Sequence, residues 1–395
     1  MERRYDVVIA GGGVVGSAIA YFLAAEPAFG GSILVVEKDP TYEFAAASRS
    51  TGGIRLQWST AENVRMCLFG ARFFKEVPDR LSVDGHPADI GFREHGYLIL
   101  ADRANIGSLS RAHEVQRANG ADTEFLAPDE IRHRFPWLSV DGLEGAYFGP
   151  RHEGWYDPHS LVQAYRRKAI SLGASYVADE VVGVRRKGAR VDGVVLRAGG
   201  EVAAGVVVNA AGAHGAPRLA AAVGLALPIE PRKRTVYAVA AKHEVPRRPV
   251  VIDPSGLFHR PETASFLVAW APAESDDPPA TDYEVDYSRF ESEIWPRLAR
   301  RVPAFESLKL LRAWSCHYDY NPLDRNAILG AHPELPNFLV ATGFSGHGVM
   351  QSPATGRAIS ELIAFGGYRT LDLSRFAYDR FVTGRRVDVW ESAVY

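Results

Sequence analysis

The 395-residue sequence contains only two cysteines, Cys67 and Cys316. Two cysteines cannot build a disulfide framework, and this pair lacks the spacing of metal ligands. The sequence also has no run of about 18 apolar residues, which argues against a membrane-spanning helix. No apolar signal segment or arginine-rich transit peptide precedes the first apolar run at Tyr5. Together these absences predict a cytoplasmic protein in a reducing compartment, without a bound metal.

The charged residues show no excess of one sign. There are 45 Lys and Arg against 47 Asp and Glu, and the basic residues do not form one block. A nucleic acid requires a basic surface for its phosphates, so we expect no nucleic-acid partner. The hydrophobic content of 47% is typical of a soluble globular protein, and the length predicts two domains.

The clearest local pattern is a strand–helix–strand unit at the N-terminus. Residues 5–10 and 33–37 are short apolar runs without helical periodicity, and residues 14–25 between them have helix-forming composition. Strand-like segments alternate with proline-rich turns between about 225 and 313, which predicts a mostly antiparallel sheet. Further strands are predicted at 181–186, 191–198, 201–209 and 338–341, and helices at 60–77, 158–172 and 353–365.

The order of these elements predicts a discontinuous α/β organisation. Nucleotide-binding patterns lie at both ends and in the middle of the chain, with a sheet-rich segment between them. We expect a Rossmann-type cofactor domain from residues 1–85, 150–224 and 325–395. Residues 86–149 and 225–324 are expected to form a substrate domain with a mostly antiparallel β-sheet.

Three glycines with the spacing G-x-G-x-x-G directly follow the first predicted strand. Gly11 permits a tight turn, Gly13 lets the backbone approach a pyrophosphate, and Gly16 lets the helix pack on the strand. The N-terminus of that helix offers free N–H groups to phosphates. Glu37 ends the second strand about 20 residues later, where a carboxylate binds ribose hydroxyls. The motif therefore predicts a dinucleotide site, and Glu37 disfavours the 2′-phosphate of NADP.

Several longer blocks of sequence resemble the D-amino-acid oxidase/sarcosine oxidase superfamily. They are GGGVVGSAIAYFL, LVVEKD, AAASRSTGGIR, VVVNAAGA and FLVATGFSGHGVMQSPATGRAISELI. The blocks FPWL, EGWYDP, EPRKR and HYDYNPLDRNAILGAHP are most similar to the mitochondrial branch that is linked to assembly of respiratory complex I. The resemblance covers nearly the whole chain. It implies FAD as the cofactor and a fold like that of glycine and sarcosine oxidases.

The resemblance also implies which residues contact FAD. Ser48, Ser50 and Thr51 would lie in the loop around the pyrophosphate, with Arg55 beside the isoalloxazine ring. The loop 343–348 would direct N–H groups to the flavin edge that gains negative charge on reduction. The complete set of expected contacts is Gly11, Gly13, Val14, Val15, Gly16, Glu37, Lys38, Ser48, Ser50, Thr51, Gly53, Arg55, Val181, Ala211, Gly212, Cys316, Gly343, Ser345, Gly346, His347 and Gly348.

Cys316 is a candidate for a covalent bond to the flavin. In sarcosine oxidases a C-x-Y segment at this place carries the cysteine that is bonded to the flavin ring, and Cys316 and Tyr318 match its spacing. The alternative is a small buried apolar side chain, which is common for free cysteine. For two other residues the alternative is a purely structural role. Arg55 could form a structural salt bridge, and His347 could be a loop residue that takes no part in the chemistry.

The activity that the resemblance implies is oxidation of a small amine, an N-alkyl or D-amino acid. A hydride would pass to flavin N5, the imine would hydrolyse, and O2 or an electron-transfer acceptor would reoxidise the flavin. Tyr318, His347 and Arg55 are the candidate catalytic residues. Leu267 stands where sarcosine oxidases have the lysine that assists oxygen activation, which favours an external acceptor over O2.

The residues that would bind a substrate carboxylate depart from the family pattern. Trp58 and Met350 stand where sarcosine oxidases use an arginine and a lysine. Arg55, Arg234 or Arg260 would have to replace that pair, although the run 232–234 could equally be a solvated strand end. Two other functions stay open. One is oxidation of a 2-hydroxy acid with His317 or His347 as the base, and the other is a non-catalytic flavoprotein that acts in assembly or interaction.

Overall fold

The computed structural model describes residues 3–246, 249–382 and 391. Two large sheets have eight strands each, and a third has two. The strands are β1 (Arg3–Ala10), β2 (Ile33–Glu37), β3 (Gly53–Ile54), β4 (Tyr97–Ala101), β5 (Glu124–Leu126), β6 (Gly145–Gly149), β7 (Gly154–Trp155), β8 (Ser175–Ala178), β9 (Val181–Lys187), β10 (Arg190–Leu196), β11 (Gly200–Asn209), β12 (Glu230–Ala241), β13 (Val250–Ile252), β14 (Leu257–Glu262), β15 (Ser265–Trp270), β16 (Leu308–Tyr320), β17 (Ile328–His332) and β18 (Leu335–Thr342).

The helices connect these strands and cover the sheets. They are α1 (Val14–Ala24), α2 (Ala61–Arg80), α3 (Ile106–Ala118), α4 (Pro128–Arg134), α5 (Pro158–Ser171), α6 (Gly212–Ala222), α7 (Tyr287–Arg289), α8 (Trp295–Arg301), α9 (Gly348–Phe365) and α10 (Asp379–Val382). A π-helical turn, Phe290–Ile294, joins α7 to α8, and short 3-10 turns lie at Glu274–Asp276, Pro303–Glu306 and Ser374–Phe376.

The first sheet has the strand order β17-β18-β11-β1-β2-β8, and the hairpin β9-β10 pairs with β11. The strands from β18 to β8 run parallel, whereas β17 pairs antiparallel with β18. Val7 and Ile9 face a core with α1, α2, α5 and α9, while Val8 and Ala10 face a core with α6 and the hairpin. Burial on both faces explains why this strand is an uninterrupted apolar run.

The second sheet has the order β16-β12-β15-β14-β13-β4-β6-β5. Its pairs are antiparallel except β13 with β4, so the predicted mostly antiparallel sheet is confirmed. All of its strands come from residues 97–149 and 230–320. The protein is therefore an α/β protein with a Rossmann-type sheet and a separate antiparallel sheet, and the domain boundaries themselves stay a prediction.

Helix α9 begins several residues before its predicted start at Pro353. The prediction was wrong because a proline inside a helix leaves the carbonyl four residues earlier without its N–H partner. Here the Ser352 hydroxyl donates to that carbonyl, on Val349, at 2.8 Å. The helix consequently continues through the proline, and its N-terminus lies at Gly348.

A residue far away in the sequence lies at the N-terminus of α2. Thr60 is the N-cap residue, but its side chain makes no capping hydrogen bond. Its hydroxyl donates instead to Glu391 Oε2 at 3.0 Å. The backbone N–H of Ser59 donates to Glu391 Oε1 at 2.9 Å. The carboxylate of Glu391 thus lies at the positive end of the helix, where a negative charge is stabilised.

Candidate functional site: a dinucleotide cavity

The carboxyl ends of the parallel strands open onto a cavity. Ala10, Glu37 and Ala341, at or near the ends of β1, β2 and β18, line it, and so does Ala210 just after β11. Ligands of doubly wound α/β proteins bind at this edge of the sheet. The expected contacts that line the cavity are Gly11, Gly13, Val14, Val15, Glu37, Lys38, Ser50, Val181, Ala211, Gly212, Gly346 and Gly348, together with the catalytic candidate Tyr318.

The three motif glycines have different surroundings. Gly11 has φ +97°, in the region that favours glycine. A Cβ on Gly16 would overlap the carbonyl oxygen of Gly11, so the helix can approach the strand only without a side chain there. A Cβ on Gly13 would meet no protein atom within 4 Å, although Gly13 lines the cavity. The space in front of Gly13 fits a pyrophosphate close to the backbone.

Glu37 is oriented by two backbone donors. Its Oε2 accepts a hydrogen bond from Gly12 N at 2.7 Å, and its Oε1 accepts one from Asp39 N at 2.9 Å. Burial raises the pKa of this carboxyl, while these two hydrogen bonds oppose the shift. A carboxylate oxygen has two lone pairs, so each can still accept a ribose hydroxyl. The geometry fits the role predicted for Glu37.

Tyr318 and the loop before α9 form another part of the cavity wall. Gly346 has φ +93°, and a Cβ there would overlap the Tyr318 ring. The backbone of the loop therefore lies directly against the ring. Burial raises the pKa of Tyr318 to about 12, so its phenol is neutral at neutral pH. Tyr318 thus lines the cavity, and is not only a core residue.

Several N–H groups of the loop 343–348 are already used inside the protein. Gly343 N donates to Asp319 Oδ2 at 2.7 Å, Ser345 N donates to the Asp319 carbonyl at 3.1 Å, and His347 N donates to the Phe344 carbonyl at 2.9 Å. These three groups are not aimed at a ligand, in contrast to the expectation from the resemblance. The flavin contacts expected of Gly343, Ser345, Gly346, His347 and Gly348 stay a prediction.

Arg55, Trp58 and His347 form a buried cluster outside the cavity-lining set. The guanidinium of Arg55 lies 3.7 Å from the centroid of the Trp58 ring, and its Nη1 donates to the Gln57 carbonyl at 2.8 Å. The His347 ring meets the Trp58 ring edge-on at 4.2 Å. Burial, and then the positive charge of Arg55, lower the pKa of His347 well below its ordinary value. His347 is therefore neutral at neutral pH.

Glu153 holds the segment that carries this cluster, and the sequence analysis missed it. It is fully buried, its Oε1 accepts from Leu56 N at 2.7 Å, and its Oε2 accepts from Gln57 Nε2 at 2.8 Å. Glu153 lies in the block EGWYDP, which was recognised only as part of the family resemblance. Its contact with residues almost one hundred positions earlier leaves no local signal.

We expect Glu153→Gln to change how stability depends on pH. Burial raises the pKa of Glu153 from 4.5 to about 7, so between these values the folded protein binds a proton that the unfolded chain does not. The free energy of unfolding therefore falls as pH rises through this window, by about 2–3 kcal/mol. Urea denaturation of both proteins from about pH 5 to about pH 8 measures this. A constant difference between wild type and variant at every pH would contradict it.

A second histidine, His214, joins the predicted His317 at the cavity. The two line it together, with His214 Nε2 and His317 Nδ1 2.9 Å apart. His317 Nε2 lies 2.7 Å from the Asp282 carbonyl, to which it donates. Both nitrogens of His317 are thereby engaged. His214 was missed because it follows VVVNAAGA in the sequence without any motif of its own.

The two arginines of the basic run 232–234 are not exposed to solvent. Arg232 and Arg234 are buried, and the Arg234 guanidinium binds both carboxylate oxygens of Asp277 at 2.7 Å each. Lys233 points the other way and pairs with the exposed Asp282. That alternative of the sequence analysis is therefore wrong for the arginines, because Asp277 from the turn before α7 neutralises Arg234.

Cys316 lies opposite Arg234 in the β12–β16 pairing. It is buried, and burial raises the pKa of its thiol to about 11. Within the part of the chain that the structure describes, it is not among the residues that line the cavity, although His317 and Tyr318 are. A covalent bond to the flavin stays a prediction. Cys67 is fully buried in the core around α2.

Other expected contacts lie just outside the cavity-lining set. Ser48 Oγ is 3.0 Å from His159 Nδ1, and the Thr51 carbonyl accepts a hydrogen bond from Arg260 Nε at 2.6 Å. Gly53 begins β3, where a Cβ would approach the Tyr97 hydroxyl to 2.9 Å. The contacts of Ser48, Thr51 and Gly53 position the loop in which Ser50 reaches the cavity.

A metal site and a membrane-spanning helix are two further features to consider in the described residues. Among residues 3–246, 249–382 and 391, no group of three or more His, Cys, Asp or Glu side chains is arranged to hold a metal ion. Within the same ranges, no helix is both long and apolar enough to cross a bilayer.

Comparison with known proteins agrees with this geometry. The model of the DAO family, FAD dependent oxidoreductase, matches residues 6–362. FAD-dependent oxidoreductase domain-containing protein 1 of Xenopus laevis is 40% identical over 96% of this chain and 83% of that protein. Glycine oxidase of Geobacillus kaustophilus is 30% identical over 97% of this chain and 98% of its own. The crystal structure of L-proline dehydrogenase from P. horikoshii superimposes with a TM-score of 0.86 at 27% identity, covering 97% and 99% of the two chains. The chain therefore belongs to the DAO family of FAD-dependent oxidoreductases, and FAD is its cofactor.

Proposed function

We propose that this protein oxidises a small amine, an N-alkyl or D-amino acid, with FAD bound in the cavity between Glu37 and Gly346. The observation that carries the proposal is the cavity wall at Tyr318, next to the buried cluster of Arg55, Trp58 and His347. The similarity to proteins described as glycine oxidase and L-proline dehydrogenase supports the same substrate class. Both of those substrates carry an amine next to a carboxylate.

In this proposal FAD supplies the acceptor for the hydride that leaves the carbon next to the amine nitrogen. The chain contributes binding, orientation and exclusion of water. Tyr318 and His347 are both neutral at neutral pH, so neither repels a neutral amine nor offers it a negative charge. A deprotonated amine already has the electron pair that drives the reaction, so no protein base is required. The imine product then hydrolyses in water.

Arg55 is the arginine that we propose for the substrate carboxylate. The guanidinium of Arg234 is occupied by both oxygens of Asp277, and Arg260 Nη1 lies 2.7 Å from Glu262 Oε2. Arg234 and Arg55 both lie close enough to Tyr318 for their positive charges to lower the pKa of the phenol, against the larger effect of burial. Arg55 is thus a buried arginine near the proposed substrate wall, and an arginine binds a carboxylate with two hydrogen bonds.

Arg55→Met is expected to lower kcat/KM for an amino acid about 100-fold, since a hydrogen-bonded buried charge contributes about 2–5 kcal/mol. The same variant should act on the matched amine without a carboxylate almost as wild type does. L-Proline with pyrrolidine, and sarcosine with dimethylamine, are suitable pairs. Arg260→Met is the matched control for loss of a buried arginine. Equal losses on both members of a pair would show that Arg55 acts on structure and not on the carboxylate.

Product analysis tests the proposed reaction itself. Incubation with a panel of N-alkyl and D-amino acids, with an artificial electron acceptor, should yield a carbonyl compound and a free amine or ammonia. We expect an external acceptor to support turnover better than O2, because the buried Leu267 stands where sarcosine oxidases have the lysine that assists oxygen activation. Formation of a keto acid from a 2-hydroxy acid, with none from any amine, would contradict the proposal.

The structure offers less for the hydroxy-acid alternative. Such a reaction needs a histidine base that is free to accept a proton. Both nitrogens of His317 are hydrogen-bonded, to His214 and to the Asp282 carbonyl. The pKa of His347 is strongly lowered by burial and by Arg55, which makes it a weak base. A non-catalytic role in assembly predicts bound FAD and no product from any compound in the panel.

A further inference from the structure

One residue of the cavity wall, directly after Tyr318 in the sequence, carries a carboxylate. Asp319 follows Tyr318 on β16 and lines the same cavity as Gly346 and Gly348. The sequence analysis assigned it no role. It is also not used in the proposed oxidation.

Asp319 holds the start of the loop 343–348. Its Oδ2 accepts hydrogen bonds from Gly343 N at 2.7 Å and from Thr342 Oγ1 at 3.2 Å. The N–H of Phe344 also stabilises the ionised carboxylate, and the Asp319 carbonyl accepts from Ser345 N at 3.1 Å. One residue therefore binds the end of β18 and the first half of the loop that leads into α9.

The charge of Asp319 is not balanced by a neighbouring cation. In the described ranges of the chain, no Lys, Arg or His side chain forms an ion pair with it. Burial raises the pKa of Asp319 to about 6, while its hydrogen bonds to Gly343 and Phe344 oppose that shift. The carboxylate is therefore ionised in mildly alkaline buffer. A negative charge that is partly buried acts more strongly than one in bulk water.

We propose that Asp319 lowers the reduction potential of the bound FAD by holding a negative charge on the wall of the redox end of the cavity. Reduction by two electrons adds negative charge to the flavin, and a nearby fixed carboxylate opposes that change. The inference rests on the proposed placement of FAD in this cavity. Asp319 is a positioning residue as well, because the same carboxylate orders the loop.

The experiment is a redox titration of the purified, FAD-loaded protein with a reference dye in mildly alkaline buffer. Asp319→Asn and Asp319→Thr remove the charge and keep an oxygen that can accept an N–H. At the same dye potential, both should raise the ratio of reduced to oxidised FAD at least about tenfold, or about 30 mV for a two-electron couple. Asp319→Glu keeps the charge and should stay within about threefold of wild type.

Glu180→Gln is the matched control. Glu180 also lines the cavity, but its neighbour Asp179 donates its N–H to the Glu37 carbonyl, at the end proposed for adenosine. Loss of its charge should leave the ratio within about threefold of wild type. If both neutral Asp319 variants stay within that range, or shift the ratio the other way, the inference is wrong.

Loss of FAD from both neutral variants would overturn the inference too, since Asp319 would then act in retaining the cofactor and not in tuning it. The titration uses no amine. Failure of every amine to reduce the protein would therefore contradict the proposed function and leave this result valid.

Discussion

Gly13→Ala is expected to weaken FAD binding about 100-fold, which is about 2.7 kcal/mol, while the protein without FAD stays as stable as wild type. The added methyl group would meet no protein atom within 4 Å, and the backbone at Gly13, with φ −61°, suits alanine. The methyl group would instead point into the space proposed for the pyrophosphate. Titration of FAD into the cofactor-free protein, together with its thermal denaturation, measures both effects.

Gly30→Ala is the control for this prediction. A Cβ on Gly30 would also meet nothing within 4 Å, and Gly30 lies on the surface before β2. This variant should bind FAD as wild type does, and both variants should keep their cofactor-free stability within about 1 kcal/mol. Equal FAD affinity in wild type and Gly13→Ala would mean that the pyrophosphate does not lie against Gly13.

Arg234→Ala is expected to lower the free energy of unfolding by about 3 kcal/mol, because it removes the guanidinium that binds both oxygens of the buried Asp277 and leaves Arg232 Nη1, 3.9 Å from Asp277 Oδ2, to balance that charge. The Arg234 guanidinium binds both Asp277 oxygens at 2.7 Å, and both side chains are only 9% exposed. Urea denaturation of the FAD-loaded protein, at one fixed FAD concentration, measures the loss.

Lys233→Ala is the control, since Lys233 is the next residue on the same strand but pairs with the exposed Asp282. Its loss should cost at most about 1 kcal/mol. The double replacement of Arg234 and Asp277 by leucine should recover much of the stability lost in Arg234→Ala, as for other buried ion pairs. If Arg234→Ala costs no more than Lys233→Ala, the pair is not desolvated as the structure indicates.

Features set by neighbouring residues could be predicted from the sequence. The glycine motif, the strand before it and Glu37 lie within a short segment, and their geometry follows from local backbone rules. The apolar run that forms β1 indicated a parallel strand because both of its faces are buried. The sequence placed the start of α9 too late, at Pro353. The hydroxyl of Ser352 donates to the carbonyl that the proline leaves without an N–H partner, and the general rule for proline does not include this contact.

The residues that the sequence analysis missed act across long separations. Glu153 contacts Leu56 and Gln57, Asp319 contacts the loop 343–348, and Glu391 contacts Thr60 at the start of α2. Each is one acidic residue among 47, and only the packing of the sheets shows which donors it meets. The family resemblance implied that the loop 343–348 contacts the flavin. The structure adds that some backbone N–H groups of this loop already donate to Asp319.

The central claim is that an amine reduces the FAD of this protein, and anaerobic mixing tests it most directly. The FAD-loaded protein is mixed without oxygen with N-alkyl and D-amino acids, and separately with 2-hydroxy acids, while the absorbance of oxidised flavin is followed. We expect at least one amine to bleach the flavin, no hydroxy acid to do so, and Arg55→Met to slow the bleaching. Flavin that dithionite bleaches but no amine does would contradict the account.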